Sequence, residues 1–133
     1  MKNKLVNEAI KARDMAYSPY SQFCVGAALL CDDGSIYTGS NIENSSFSAT
    51  ICAERVALFK AVSEGKRNFL AIAVAGAKQG ETPSKPCYPC GVCRQVLSEF
   101  CKEDFKIYIV TENEASEYTL SQLLPCSFEL KGE

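Results

Sequence analysis

Phe69-Leu70-Ala71-Ile72-Ala73-Val74-Ala75 is continuously apolar and partly β-branched, as expected of a strand covered on both faces. Such a strand needs helices on either side of its sheet, and the flanking segments supply them. Upstream, a helix begins at Cys52, with Val56, Phe59, Ala61 and Val62 apolar and Ser63-Glu64-Gly65 as its stop. Downstream of a Pro-rich loop, a helix is predicted over about Cys90 to Cys101 and a strand over Lys106 to Val110. This alternation implies crossovers and parallel pairing. Toward the N-terminus, Leu5, Ala9, Ala12 and Ala16 form one stripe of a first helix over residues 4 to 16, ended by Ser18-Pro19-Tyr20-Ser21. Phe23 to Leu30 and Ile36 to Ile42 read as strands joined by the hairpin signal Asp32-Asp33-Gly34. Gly39 inside the return strand marks a bulge or a close backbone approach. Asn44 to Ser48 reads as a loop, and Thr119 to Leu124 as a short helix ended by Pro125. The expected fold is α/β, a mixed sheet of about five strands sandwiched by helices.

At 133 residues the chain is expected to be one domain, 1-133, with a core large enough to need no disulfides. With 47% hydrophobic and 23% charged residues, it has no apolar run long enough to cross a bilayer. Met1-Lys2-Asn3-Lys4-Leu5 leads directly into an amphipathic pattern without a signal-peptide core, so a cytoplasmic protein with reduced thiols is expected. The eight cysteines include a group at metal-ligand spacing, which argues against a disulfide framework. Cys24, Cys31, Cys101 and Cys126 have no such spacing and read as small core hydrophobes. A net charge of -2, with no basic block, argues against a nucleic-acid polymer and for a small-molecule substrate.

The chemistry concentrates in Cys52-Ala53-Glu54-Arg55 and Pro89-Cys90-Gly91-Val92-Cys93, in a chain with no histidine. Three thiolates leave a tetrahedral zinc one open corner, as catalytic sites do, whereas structural sites close with four ligands. Thiolate softness favours zinc over magnesium or calcium. Cys90 and Cys93 share a helix face, and both expected helix starts point their positive dipole ends at the thiolates. Arg55 and Arg94 are placed to offset the surplus negative charge. Glu54 suits a proton shuttle beside the metal; read alone, it is also a favourable first-turn acid. Two other readings of the cysteines stay open: a redox C-x-x-C, and a closed zinc knot using Cys87 as fourth ligand. The lack of histidine excludes a Ser-His-Asp hydrolase.

C-x-E followed by P-C-x-x-C resembles the signature of zinc nucleobase deaminases. With Ala16-Tyr17-Ser18-Pro19-Tyr20-Ser21, Val25-Gly26-Ala27-Ala28-Leu29, Asn41-Ile42-Glu43-Asn44, Arg94-Gln95 and Leu123-Leu124-Pro125, the chain is similar nearly end to end to the small, homotetrameric, three-cysteine cytidine deaminases. The resemblance implies an α/β/α fold and one zinc per subunit on Cys52, Cys90 and Cys93. It implies hydrolysis of cytidine and deoxycytidine to uridine and deoxyuridine plus ammonia in pyrimidine salvage, zinc-bound hydroxide attacking C4 while Glu54 relays protons. By the same resemblance Arg55 hydrogen-bonds the ligand sulfurs, Asn41 and Glu43 bind ribose hydroxyls, Phe23 packs on the pyrimidine and the Ala53 backbone contacts the base. Phe128 matches an aromatic that reaches a neighbouring subunit's site. Glu43 would repel a 3′ phosphate and so favour free nucleosides. Phe47, Tyr88, Cys24 and Cys126 stand where the family often has tyrosine, serine, proline and glycine. A deaminase for a cytosine-containing nucleoside antibiotic shares the C-A-E and P-C-G-x-C-R-Q motifs; Arg55 and the Asn41 to Asn44 stretch favour cytidine.

Overall fold

The central strand of the sheet is the apolar one. In the structure, a computed structural model describing residues 1–130, the elements are α1 (Lys2–Ala12), β1 (Phe23–Cys31), β2 (Ile36–Ser40), α2 (Ala53–Ser63), β3 (Phe69–Lys78), α3 (Gly91–Phe100), β4 (Lys106–Val110), β5 (Ala115–Thr119) and α4 (Leu120–Leu123). The last three residues of the expected 1-133 domain lie outside the described residues. The sheet order is β2-β1-β3-β4-β5. β1 pairs antiparallel with β2 and β3, β3 runs parallel to β4, and β4 runs antiparallel to β5. The sheet is mixed, as expected. α2 connects β2 to β3 and α3 connects β3 to β4, so both helices arise as crossovers.

Side-chain alternation along β3 divides the core into two layers. Ala71, Ala73 and Ala75 face Leu5 and Ala9 of α1, together with Ala28. Ile72 and Val74 join Ala57 and Leu58 of α2, Leu97 of α3 and Leu120 of α4 on the opposite side. Leu70 is the exception to two-sided cover, being 51% exposed.

Two glycines set how near the helices come. A Cβ at Gly26 would lie 2.1 Å from Ala9 O, and one at Gly39 would lie 2.3 Å from Ala53 O and 2.5 Å from Ala57 N. The Ala27↔Gly39 pairing sits in an uninterrupted register, so Gly39 serves a close approach and no bulge. It lets the first turn of α2, which carries the candidate site, rest on β2.

Several expectations change. The first helix ends at Ala12, and Arg13–Met15 form a 3₁₀ turn; Arg13 Nε donates to Cys24 O at 3.0 Å, drawing the chain across β1. Ala16 is therefore outside the helix and half-buried. The return strand stops at Ser40, and Ile42 instead forms bridges with Tyr17 and Ile51. α2 buries Ala53, Glu54, Ala57, Leu58 and Ala61, while Phe59 is 43% exposed. Apolar residues lie all round this helix, and contact with the sheet selects its small-residue side. β5 was not located in the sequence because Ala-Ser-Glu-Tyr-Thr lacks an apolar run and forms an edge. Among the described residues, no helix is long and apolar enough to cross a membrane.

Candidate metal centre and catalytic site

Two helix N-termini create the site. Cys52 is the N-cap of α2 and Cys90 the N-cap of α3, both with extended backbone. Cys93 lies in the first turn of α3, and its N–H donates to Cys90 Sγ at 3.5 Å. The Cys52–Cys90 and Cys90–Cys93 sulfur separations are 3.7 and 3.5 Å, and all three sulfurs lie within 4.8 Å of one another. A tetrahedral zinc with bonds of about 2.3 Å has sulfur–sulfur edges of about 3.8 Å. The triangle, its soft donors and the two dipole ends fit zinc.

The fourth cysteine considered for this site does something else. Cys87 is absent from the sulfur cluster and lies against Gly76, where an added Cβ would be 2.7 Å from its Sγ. Burial pushes its thiol up to about 11. Among the described residues the sulfur cluster consists of Cys52, Cys90 and Cys93, so Cys87 does not close a four-cysteine knot. All eight cysteines are free. Cys24 and Cys31 are buried and Cys101 is half-buried, but Cys126 is exposed and belongs to the surface, not to the core as expected. Its φ of +56° is a left-handed turn after Pro125, where glycine is most readily accommodated.

Arg55 Nη2 donates to Cys52 Sγ at 3.5 Å. Hydrogen bonding from Cys93, then from Arg55 and Cys90, holds the Cys52 thiol down at about 5 against burial. Cys93 is pushed up because it donates to Cys52 and is buried. Arg55 Nε is also buried without a hydrogen-bond partner. Arg94 takes another position: its Nε and Nη1 donate to Pro89 O and Leu123 O, each at 2.8 Å. It ties the ligand-bearing turn to α4 through carbonyls rather than sulfurs.

Glu54 is 4% exposed. Burial, reinforced by the Cys52 charge, raises its carboxyl from 4.5 to about 7. Its charge also acts on Cys87 and Cys93, which places it electrostatically among the cysteines. Ala53 beside it is fully buried.

A second network borders this cluster. Ile42 and Ile51 exchange backbone hydrogen bonds at 3.0 Å, laying the Asn41–Glu43 segment alongside the approach to Cys52. Asn41 Oδ1 accepts from Val25 N and its Nδ2 donates to Phe23 O, both at 2.9 Å. Glu43 Oε1 accepts from Tyr20 N and Ser21 N at 3.0 and 3.2 Å, and Oε2 accepts from Ser21 Oγ. Phe23 is partly exposed and, with Cys87, crowds Gly76. Phe128 is 65% exposed and lines a cleft with Cys101, Leu120 and Cys126.

The sequence reading missed Gly76, although glycine inside a buried strand is itself a close-approach signal. It also missed the partner of Tyr88, whose ring meets Tyr118 edge-on at 5.8 Å, with the hydroxyls 3.3 Å apart. Phe47 is 81% exposed.

Three thiolates and a buried glutamate on the helix ends of a mixed α/β sheet define the class of a zinc-dependent hydrolytic deaminase. The family profile "Cytidine and deoxycytidylate deaminase zinc-binding region" matches residues 1–110. The chain is 52% identical over 126 residues to a cytidine deaminase of Sporosarcina psychrophila, covering 94% of this chain and 89% of the relative. The crystal structure of a cytidine deaminase from Burkholderia pseudomallei superposes with a TM-score of 0.87 at 40% identity, covering 96% and 99% of the two chains. A weaker relation, 27% over 128 residues, covering 94% of this chain and 90% of the relative, is to a Blasticidin-S deaminase of Bacillus cereus. The chain belongs to the cytidine and deoxycytidylate deaminase family, and zinc is its cofactor.

Proposed function

We propose that the chain deaminates free cytidine and deoxycytidine to uridine and deoxyuridine with release of ammonia, as a single catalytic domain serving pyrimidine salvage in the cytoplasm. The observation that carries this reading is the three-sulfur triangle with buried Glu54 beside it. Identity of 52% to a cytidine deaminase against 27% to an antibiotic deaminase favours cytidine.

Zinc held by Cys52, Cys90 and Cys93 supplies, when bound, the Lewis acidity that makes water a nucleophile at neutral pH. Burial raises the Glu54 carboxyl to about 7, suiting it to take a proton from water and deliver protons to N3 and the departing N4 amino group. Water supplies the oxygen at C4 as the C4–N4 bond breaks, and ammonia leaves. Arg55 holds Cys52 as thiolate, and Arg94 holds the turn carrying Cys90. Phe23 packs against the base and the Ala53 backbone contacts it. Asn41 and Glu43 receive the ribose hydroxyls, with the charge on Glu43 disfavouring a neighbouring phosphate.

A homotetramer with one zinc per subunit completes the reading, with Phe128 contributing to a neighbouring subunit's site. Supporting this, Phe128 is exposed and outside its own chain's cluster, and Tyr20 and Phe47 line an exposed apolar cleft beside Glu43. Product analysis by NMR tests the reaction. Uridine and ammonia formed in equal amounts from cytidine would support it; inertness toward cytidine with turnover of a cytosine-containing antibiotic would replace it with the antibiotic reading.

A further inference from the structure

Glu43 and Phe23, which the proposed function assigns to opposite ends of the nucleoside, meet at Ser21. Its hydroxyl donates to Glu43 Oε2 and accepts the Phe23 N–H at 3.0 Å. Its own N–H donates to Glu43 Oε1 at 3.2 Å, beside the Tyr20 N–H at 3.0 Å. One serine thus contacts both carboxylate oxygens and the main chain of the aromatic residue two positions ahead.

The turn around Ser21 is built to hold this arrangement. Gln22 has φ +58°, a left-handed conformation uncommon for a non-glycine residue. Gln22 N donates to Ser18 O at 2.9 Å, and Gln79 N donates to Gln22 O at 2.7 Å, tying the turn internally and to the segment after β3. A hydroxyl accepting from the N–H two residues later is the local bond by which serine closes such turns.

A carboxylate offers about four acceptor positions. Tyr20 N, Ser21 N and Ser21 Oγ occupy three of those on Glu43, leaving room for one further donor whose direction these bonds set. We infer that Ser21 is a positioning residue: its hydroxyl locks the Glu43 carboxylate and the Phe23 main chain into one register, so that sugar-hydroxyl recognition and base packing are aligned as a unit. This rests on the assignment of Glu43 and Phe23 to the nucleoside. The serine acts through both residues, and its loss affects nucleoside binding before it affects the C4 chemistry.

Steady-state kinetics on cytidine with the zinc-loaded full chain test the inference, using Ser21→Ala, Ser21→Thr, Glu43→Gln and the Ser21→Ala/Glu43→Gln double variant. Ser21→Ala should raise KM about tenfold while kcat falls less than about threefold, and Ser21→Thr, which keeps the hydroxyl, should return KM to within about twofold of the parent. In the Glu43→Gln background, Ser21→Ala should raise KM by clearly less than in the parent, because the carboxylate it orients is gone and only its bond to the Phe23 N–H remains to be lost. Independent, multiplying effects of the two substitutions would overturn the inference. So would an unchanged KM in Ser21→Ala beside a raised KM in Glu43→Gln. An unchanged KM in Glu43→Gln would overturn the ribose assignment itself, and the role of Ser21 with it.

Discussion

Glu54 illustrates how position changes the meaning of a residue. In a solvated first turn it would be an acid complementing the helix dipole; at 4% exposure, with its charge felt by Cys52 and Cys93, it suits the proposed role of proton carrier. Glu54→Gln should keep about one zinc per chain and lower kcat by about 10²–10⁴-fold, the usual range for general acid–base groups. Metal analysis with steady-state rates checks this, and near-parental turnover would remove Glu54 from the chemistry. Glu43 has the opposite electrostatic character: hydrogen bonds from Ser21 and Tyr20 lower its carboxyl below the ordinary 4.5. Its hold on the Tyr20–Ser21 turn is therefore fully present above 4.5 and lost as pH falls through the lower folded value. The Tyr20 and Ser21 amide resonances should titrate with a midpoint below 4.5, whereas a midpoint at or above it would contradict this bonding. The three-cysteine cluster was legible because the motif spacing that marks it is local. The target of Arg94 was not, since a guanidinium finds its carbonyls only after α3 and α4 have packed.

At the scale of elements, the site depends on α2 lying directly on β2. Gly39→Ala would place a methyl group 2.3 Å from Ala53 O, against backbone that cannot rotate away. A loss of about 1–3 kcal/mol, the usual cost of overpacking, is expected in urea unfolding, together with weaker zinc retention because Cys52 caps the displaced helix. Unchanged stability and zinc affinity would show that the contact yields freely. The same geometry explains what the sequence could convey. β4 emerged at Lys106–Val110 as read because four of its five residues are buried. The central strand was likewise clear, while β5 is polar enough to pass for loop. The inward face of α2 was hidden because both its sides carry apolar residues. Close packing chose alanines over Phe59, a decision made by the opposing sheet rather than by helical periodicity.

For the whole molecule, the proposed tetramer supplies a role for residues the isolated chain leaves outside. Phe128 lines the α4 cleft with Cys101 and Cys126 and is 65% exposed, leaving its ring free for the proposed contribution to a neighbouring subunit. Specific activity should fall on dilution in step with dissociation of the tetramer followed by sedimentation, whereas fully active monomers would contradict shared sites. Catalysis by one metal on three thiolates is examined by titrating zinc into protein stripped of metal. With cytidine conversion followed by ultraviolet absorbance, turnover should rise from near zero and level at about one zinc per chain. Full turnover without metal, or none at saturating zinc, would contradict the account.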